Sequence, residues 1–183
     1  MLRNKIDKIR LLFRKDRESY SCFYRILGFY PRNIRLYEQA LLHKSTAVRS
    51  EKGRPLNNER LEFLGDAILD AIVGDIVYQH FEGKREGFLT NTRSKIVQRE
   101  TLNKLAVEIG LDKLIKYSTR SSSHNSYMYG NAFEAFIGAI YLDRGYECCK
   151  QFMERRIIEP YIDLDKLSRK EVNFKSKLIE WSQ

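Results

Sequence analysis

Between Asn57 and Leu69 the chain reads NNERLEFLGDAIL, an apolar helical pattern interrupted by three carboxylates. At about 100° per residue, Glu59, Glu62 and Asp66 fall within roughly a 60° arc of one helix face, with Leu61, Leu64, Ile68 and Leu69 on the faces beside it. A lone E-x-x-E pair is ordinarily a solvated face. Three carboxylates in one arc repel one another, however, and a divalent cation bound through oxygen relieves that repulsion. Mg²⁺ is the usual guest where carboxylates gather beside a phosphate substrate.

The rest of the chain carries almost no strand signal, so the predicted fold class is all-α. Helical candidates cover 21 to 28 and 34 to 44, separated by Gly28 and Pro31. After an exposed loop at 50 to 55, Asn57 or Asn58 is a good N-cap for a long helix running to about Phe81. The turn Glu82 to Gly87 breaks it. Helices of about 88 to 97 and 99 to 109 follow, the second closed by Gly110. A polar run from Ser118 to Ser126 reads as a mobile loop. Helices of about 128 to 143 and 146 to 160 complete the pattern. With 183 residues, 43% of them hydrophobic, the chain is long enough for one globular domain with a real core.

A second group of polar residues lies on the helix of 128 to 143. Asn131 and Glu134 are spaced i, i+3 and share a face, while Ala132, Ala135, Gly138 and Ala139 are small enough for another helix to approach closely. Packing against the helix of Glu62 and Asp66 would bring four oxygen-bearing side chains together.

Charge and cysteine usage narrow the setting. The net charge is +9, and residues 1 to 60 hold 15 Lys or Arg against 6 Asp or Glu, whereas residues 61 to 183 hold 18 of each. A basic end on a balanced chain suggests contact with a polyanion, most commonly nucleic acid; the plainer reading is a tail that aids solubility. In that end Ile6, Ile9, Leu12 and Phe13 recur at helical spacing, so the segment either lies on the domain or grips RNA. Cys22, Cys148 and Cys149 make no disulfide framework, and a reducing cytoplasm is the economical expectation. Neither a signal-peptide core nor a window approaching 18 apolar residues is present, so no membrane role is expected.

The string Asn58 to Asp66, NERLEFLGD, resembles the signature of the ribonuclease III family, Mg²⁺-dependent endonucleases that cut double-stranded RNA. Similar stretches flank it, ALLHKS at 40 to 45 and NAFEAFIG at 131 to 138, and the resemblance covers roughly residues 21 to 163. It implies a helical bundle that forms a symmetric homodimer. It also implies hydrolysis of phosphodiester bonds to 5′-phosphate and 3′-hydroxyl ends with short 3′ overhangs, in the service of ribosomal and other precursor RNAs. Mg²⁺ is the implied cofactor, with Mn²⁺ substituting, held by Glu62, Asp66, Asn131 and Glu134; Asp66 and Glu134 form the catalytic core. Glu59 and Glu86 match acidic positions further along the cleft, where they would hold RNA or assist a second ion. Phe63 matches the ring that enters a pocket of the partner subunit, although helical spacing alone also fits a core aromatic. His43 matches a family turn, where a structural hydrogen bond is the favoured role. One departure stands out: the family usually has Asp where this chain has Asn131, whose amide oxygen contributes a dipole rather than a full charge.

The expected organisation is a basic extension over 1 to 20, the endonuclease domain over 21 to 163, a linker over 164 to 172, and at 173 to 183 the first helix of a double-stranded RNA-binding domain. That last helix lacks the elements needed to bury Phe174, Leu178 and Trp181, which predicts a truncated form or a fragment of a longer natural chain. Two other readings are a non-catalytic RNA scaffold, with Asn131 marking a decayed metal site, and a basic helical interaction module with a structural acidic face. The source expected from this layout is bacterial.

Overall fold

The computed structural model describes residues 17–118 and 125–169. Eight helices are found among them: α1 Arg17–Leu27, α2 Ile34–Ala40, α3 Glu59–His80, α4 Glu86–Val97, α5 Arg99–Glu108, α6 Asn125–Arg144, α7 from Tyr146–Phe152 onward, and α8 Leu164–Arg169. α7 widens to a π turn over Met153–Ile158 and closes with Glu159–Tyr161. Extended pairing among the described residues is limited to isolated bridges, Leu42 with Lys116 and Arg49 with Pro55. None of the described helices is long and apolar enough to cross a membrane.

The two longest helices, α3 and α6, form the centre and pack on each other more extensively than any other pair. The small residues of α6 permit this. A Cβ on Gly138 would overlap the Leu61 carbonyl, and a Cβ on Gly65 would overlap the Glu134 carbonyl, so the two backbones touch. Pairing the earlier residue of one helix with the later residue of the other makes them antiparallel. Around this contact Leu69, Ile72 and Val73 from α3 and Phe133, Phe136, Ile137 and Ile140 from α6 are almost wholly buried. Phe23 of α1 and Tyr37 of α2 stack into the same core, each ring lying within 6.2 Å of Phe136.

A buried carboxylate fixes the entry to α2. Asp143, at the end of α6, accepts hydrogen bonds from the Arg32 and Asn33 amides at 2.9 and 2.8 Å and from the Tyr37 hydroxyl at 2.9 Å. Burial, then the Asp143 charge, pushes the Tyr37 hydroxyl well above the ordinary tyrosine range.

Several boundaries differ from the sequence expectation. The helix expected over 34 to 44 ends at Ala40, because the chain turns to pair His43 N with Lys116 O at 3.0 Å and Lys116 N with Leu41 O at 2.8 Å. Glu86, expected in a turn, is the first residue of α4, where a carboxylate meets the positive end of the helix dipole and accepts from Thr90 Oγ1 at 2.9 Å. Leu164–Arg169, within the stretch assigned as linker, forms a helix. Lys95, only 3% exposed, sends its ammonium to the carbonyls of Leu167 and Ser168 at 3.3 and 3.1 Å, satisfying the C-terminal end of α8. Of the polar loop, Asn125 and Ser126 belong to α6, and 119 to 124 lie outside the described residues. So do the N-terminal segment 1 to 16 and the predicted RNA-binding helix of 173 to 183.

Candidate active site

Where α3 and α6 touch, their solvent faces open into a cleft of about 520 Å³. Glu59, Glu62 and Asp66 from α3 line it together with Asn131 and Glu134 from α6. The glycine contact sets this geometry, since Gly65 and Glu134 meet backbone to backbone one residue from Asp66. Any side chain at Gly65 would spread the two carboxylate-bearing helices.

The head of α3 is built by Asn57 rather than Asn58. Asn57 Oδ1 accepts the Glu59 amide at 3.1 Å while its Nδ2 donates to Glu59 Oε2 at 3.1 Å. Asn58 occupies the N-cap position without a side-chain cap bond, 2% exposed, and its Nδ2 has no hydrogen-bond partner. Lys44 Nζ lies 3.3 Å from Glu59 Oε1, both groups open to water. His43 plays a structural part here. Its Nδ1 accepts from Ser45 N at 3.3 Å and lies 2.8 Å from Ser45 Oγ, which in turn accepts from Ser118 N at 3.0 Å. Burial, with Lys44 beside it, holds the imidazole below its ordinary pKa.

Two carboxyls of the cleft, Glu134 and Glu62, are held toward the protonated acid. Burial, reinforced by the Asp66 and Glu62 charges, pushes Glu134 up to about 7; Arg99 pulls it down and Asp70 adds a smaller push upward. Glu62 is raised by burial first, against the pull of Lys44; Glu59 and Asp66 add to the rise, while a hydrogen bond from Asn131 opposes it. The donors are all oxygen and their negative charges oppose each other, which is the donor chemistry of a hard divalent cation. As the side chains stand, no three His, Cys, Asp or Glu groups among the described residues converge tightly enough to hold a metal.

Of the residues singled out from sequence, Glu59, Glu62, Asp66, Asn131 and Glu134 share the cleft. Phe63 stands at its rim, 83% exposed. Glu86 does not line it. The sequence alone did not single out Arg99, which lines the cleft, or Asp70, which does not line it but acts on Glu134 through its charge. Asp70 was recoverable, because the same 100° arithmetic places it one turn beyond Asp66 within about 20° of Glu59. Arg99 carries no such signal, since it enters from α5 through tertiary packing.

Comparison with known proteins accords with this arrangement. A family profile described as Ribonuclease-III-like matches residues 33–161. Proteins named Ribonuclease 3 from Bacteroides thetaiotaomicron and Phocaeicola vulgatus are 92% and 80% identical over all 183 residues, and the chain spans 59% of the length of each. The Ribonuclease 3 of Azobacteroides pseudotrichonymphae is 57% identical over the whole chain, which covers 70% of it. Among solved structures, the nuclease domain of ribonuclease III from Campylobacter jejuni matches at 33% identity with a TM-score of 0.67, covering 82% of this chain and 100% of that one. Dicer from Pichia stipitis matches at 30% identity and a TM-score of 0.58, over 84% of this chain and 68% of that one. With the signature helix, its antiparallel partner and the acidic cleft all in place, the chain belongs to the ribonuclease-III-like family.

Proposed function

We propose that this chain is the endonuclease part of a bacterial ribonuclease III, hydrolysing phosphodiester bonds of double-stranded RNA to 5′-phosphate and 3′-hydroxyl ends with short 3′ overhangs. The observation that carries the reading is the meeting of Glu62, Asp66, Asn131 and Glu134 in one cleft across the α3–α6 contact. These four side chains would hold Mg²⁺, or Mn²⁺ in its place, with Asp66 and Glu134 at the catalytic core. When bound, the metal makes hydroxide available from water near neutral pH and stabilises charge on the leaving oxygen.

The chain's own residues divide the remaining work. The ionised form of Glu134 is the one that binds cations, and its raised pKa means that protons and metal compete for it near pH 7. Asn131 offers its amide oxygen and, standing beside Glu62 in the cleft, favours the ionised form of that carboxyl. Glu59, open to solvent and already paired with Lys44, suits contact with RNA at the cleft mouth; Glu86 would serve only where the duplex extends past α4. Duplex RNA demands recognition of shape and backbone, because side chains cannot read base edges in its deep major groove. A symmetric homodimer would supply two such clefts along one duplex, with Phe63 as the ring each subunit inserts into the other. Dimer formation is named for the Campylobacter jejuni nuclease domain. A cytoplasmic site of action on ribosomal and other precursor RNAs completes the proposal.

The test is cleavage of a long perfect RNA duplex with Mg²⁺ or Mn²⁺, comparing the chain with Glu134→Ala. Metal-dependent cleavage that is lost in the variant is the expected result, a fall of about a hundred- to a thousandfold for removal of one group that stabilises the developing charge. Binding without cutting in either metal would overturn the nuclease reading in favour of an RNA scaffold.

A further inference from the structure

The cleft contains a cation that the metal chemistry does not use. Arg99 is the first residue of α5, exposed to solvent, and lines the same cleft as Asp66 and Glu134. Among the described residues its side chain has no hydrogen bond and no ion pair. Its charge acts on Glu134, and its ring contact is with Tyr127: the guanidinium lies 4.2 Å from the centroid of the Tyr127 ring. Tyr127 sits at i−4 from Asn131 and i−7 from Glu134, so the ring shares the face of α6 that carries the polar site residues.

Helix stability gives no reason for this placement. A cation in the first turn opposes the helix dipole, so Arg99 weakens α5 where an acid or a neutral residue would not. Nor is Arg99 a partner for the metal, which it repels. A guanidinium placed over a ring meets no hydrogen-bond acceptor there, so its donors stay available in the planar fork that matches two oxygens of a phosphodiester. Its position beside the carboxylates puts those donors next to where a scissile strand would lie.

Resting on the nuclease reading above, we propose that Arg99, held in place by the Tyr127 ring, is a phosphate clamp that grips the backbone of the RNA strand entering the cleft. Tyr127 acts through Arg99 and is a positioning residue. The clamp is sequence-independent, and an exposed contact to phosphate weakens as salt rises.

The experiment measures cleavage of a short perfect RNA duplex in Mn²⁺, and binding of the same duplex by fluorescence anisotropy without divalent metal, each across a salt series. Wild type, Arg99→Ala, Arg99→Lys, Tyr127→Leu and Tyr127→Phe are compared, with thermal unfolding of each. Arg99→Ala should raise KM on the order of tenfold with a smaller change in kcat, as expected for loss of a charged hydrogen bond made to bound substrate. The slope of log affinity against log salt should fall by about one. Arg99→Lys keeps the charge without the fork and should recover the slope more fully than KM. Tyr127→Leu should raise KM, and Tyr127→Phe, which keeps the ring, should reverse that rise. The unfolding temperature of Arg99→Ala should equal or exceed that of wild type, where a purely structural stack would lower it. Unchanged KM and slope in Arg99→Ala, while wild type cuts, overturn the clamp and leave the nuclease reading intact. If wild type binds but does not cut, the nuclease reading falls and the clamp is judged on the binding slope alone. If wild type neither binds nor cuts, both fall.

Discussion

Glu134 is asked to be an anion where its surroundings favour the neutral acid. Burial and the neighbouring carboxylates raise its pKa from the ordinary 4.5 to about 7, so in the metal-free chain its protonated form is stabilised by folding. A group raised in the folded state binds more protons folded than unfolded, and its contribution to stability is fully present below about 4.5 and is lost as pH rises through about 7. Glu134→Gln removes that dependence. In chelator, the variant should therefore gain on wild type between pH 5 and pH 8 by about 1 kcal/mol, a figure kept low because the carboxyl is partly open to water. Urea denaturation of both proteins at the two pH values checks this, and an equal difference at both would refute it. The residue scale was also the most legible in sequence. Helical arithmetic depends only on spacing, and it put Glu59, Glu62 and Asp66 on one face and Asn131 with Glu134 on another. It could not place Arg99, whose position depends on how α5 packs, and the resemblance placed Glu86 in a cleft that, within one subunit, it does not line.

At the scale of elements, the whole site hangs on one helix crossing. The small residues of α6 announced a close approach, and the structure shows that Gly138 and its counterpart Gly65 leave no room even for a methyl group. Helix identities followed from hydrophobic period, while boundaries were set where tertiary contacts took over: α2 stops short where Leu41 and His43 pair with Lys116, and the terminal carbonyls of α8 are met by Lys95. Such contacts join residues 72 to 75 positions apart, beyond any local pattern. Gly65→Ala sets a Cβ against backbone on both sides, where neither partner can rotate away. It should destabilise the chain by about 3 kcal/mol, the upper end for overpacking, and lower Tm by roughly 10 °C. Gly87→Ala is the comparison, since a Cβ there meets open space and alanine favours the helix. Thermal unfolding followed by circular dichroism distinguishes them. Equal Tm values for the two variants would mean that the α3–α6 contact relaxes without cost.

The molecule as a whole presents a phenyl ring where a lone subunit gains nothing from it. Phe63 is 83% exposed beside four carboxylates, whereas Phe133 and Phe136 are wholly buried. Sequence could not separate these cases, because both sit in apolar helical patterns and only packing reveals which face is covered. A ring held in water at the rim of the cleft is explained if a second copy covers it, and a two-fold contact would use the ring twice. Burying a phenylalanine side chain contributes about 1.5–3 kcal/mol, so Phe63→Ala acting at both copies should weaken self-association by at least about a hundredfold. Sedimentation equilibrium of wild type and variant over a range of concentrations reads this directly, with duplex cleavage measured in parallel. A wild-type dimer that dissociates in Phe63→Ala, with cutting of the two strands becoming uncoupled, ties assembly to the paired break. Identical association of the two proteins, or a monomeric wild type, would assign the exposed ring to contact with RNA in a single cleft and remove the dimer from the account of how the overhang arises.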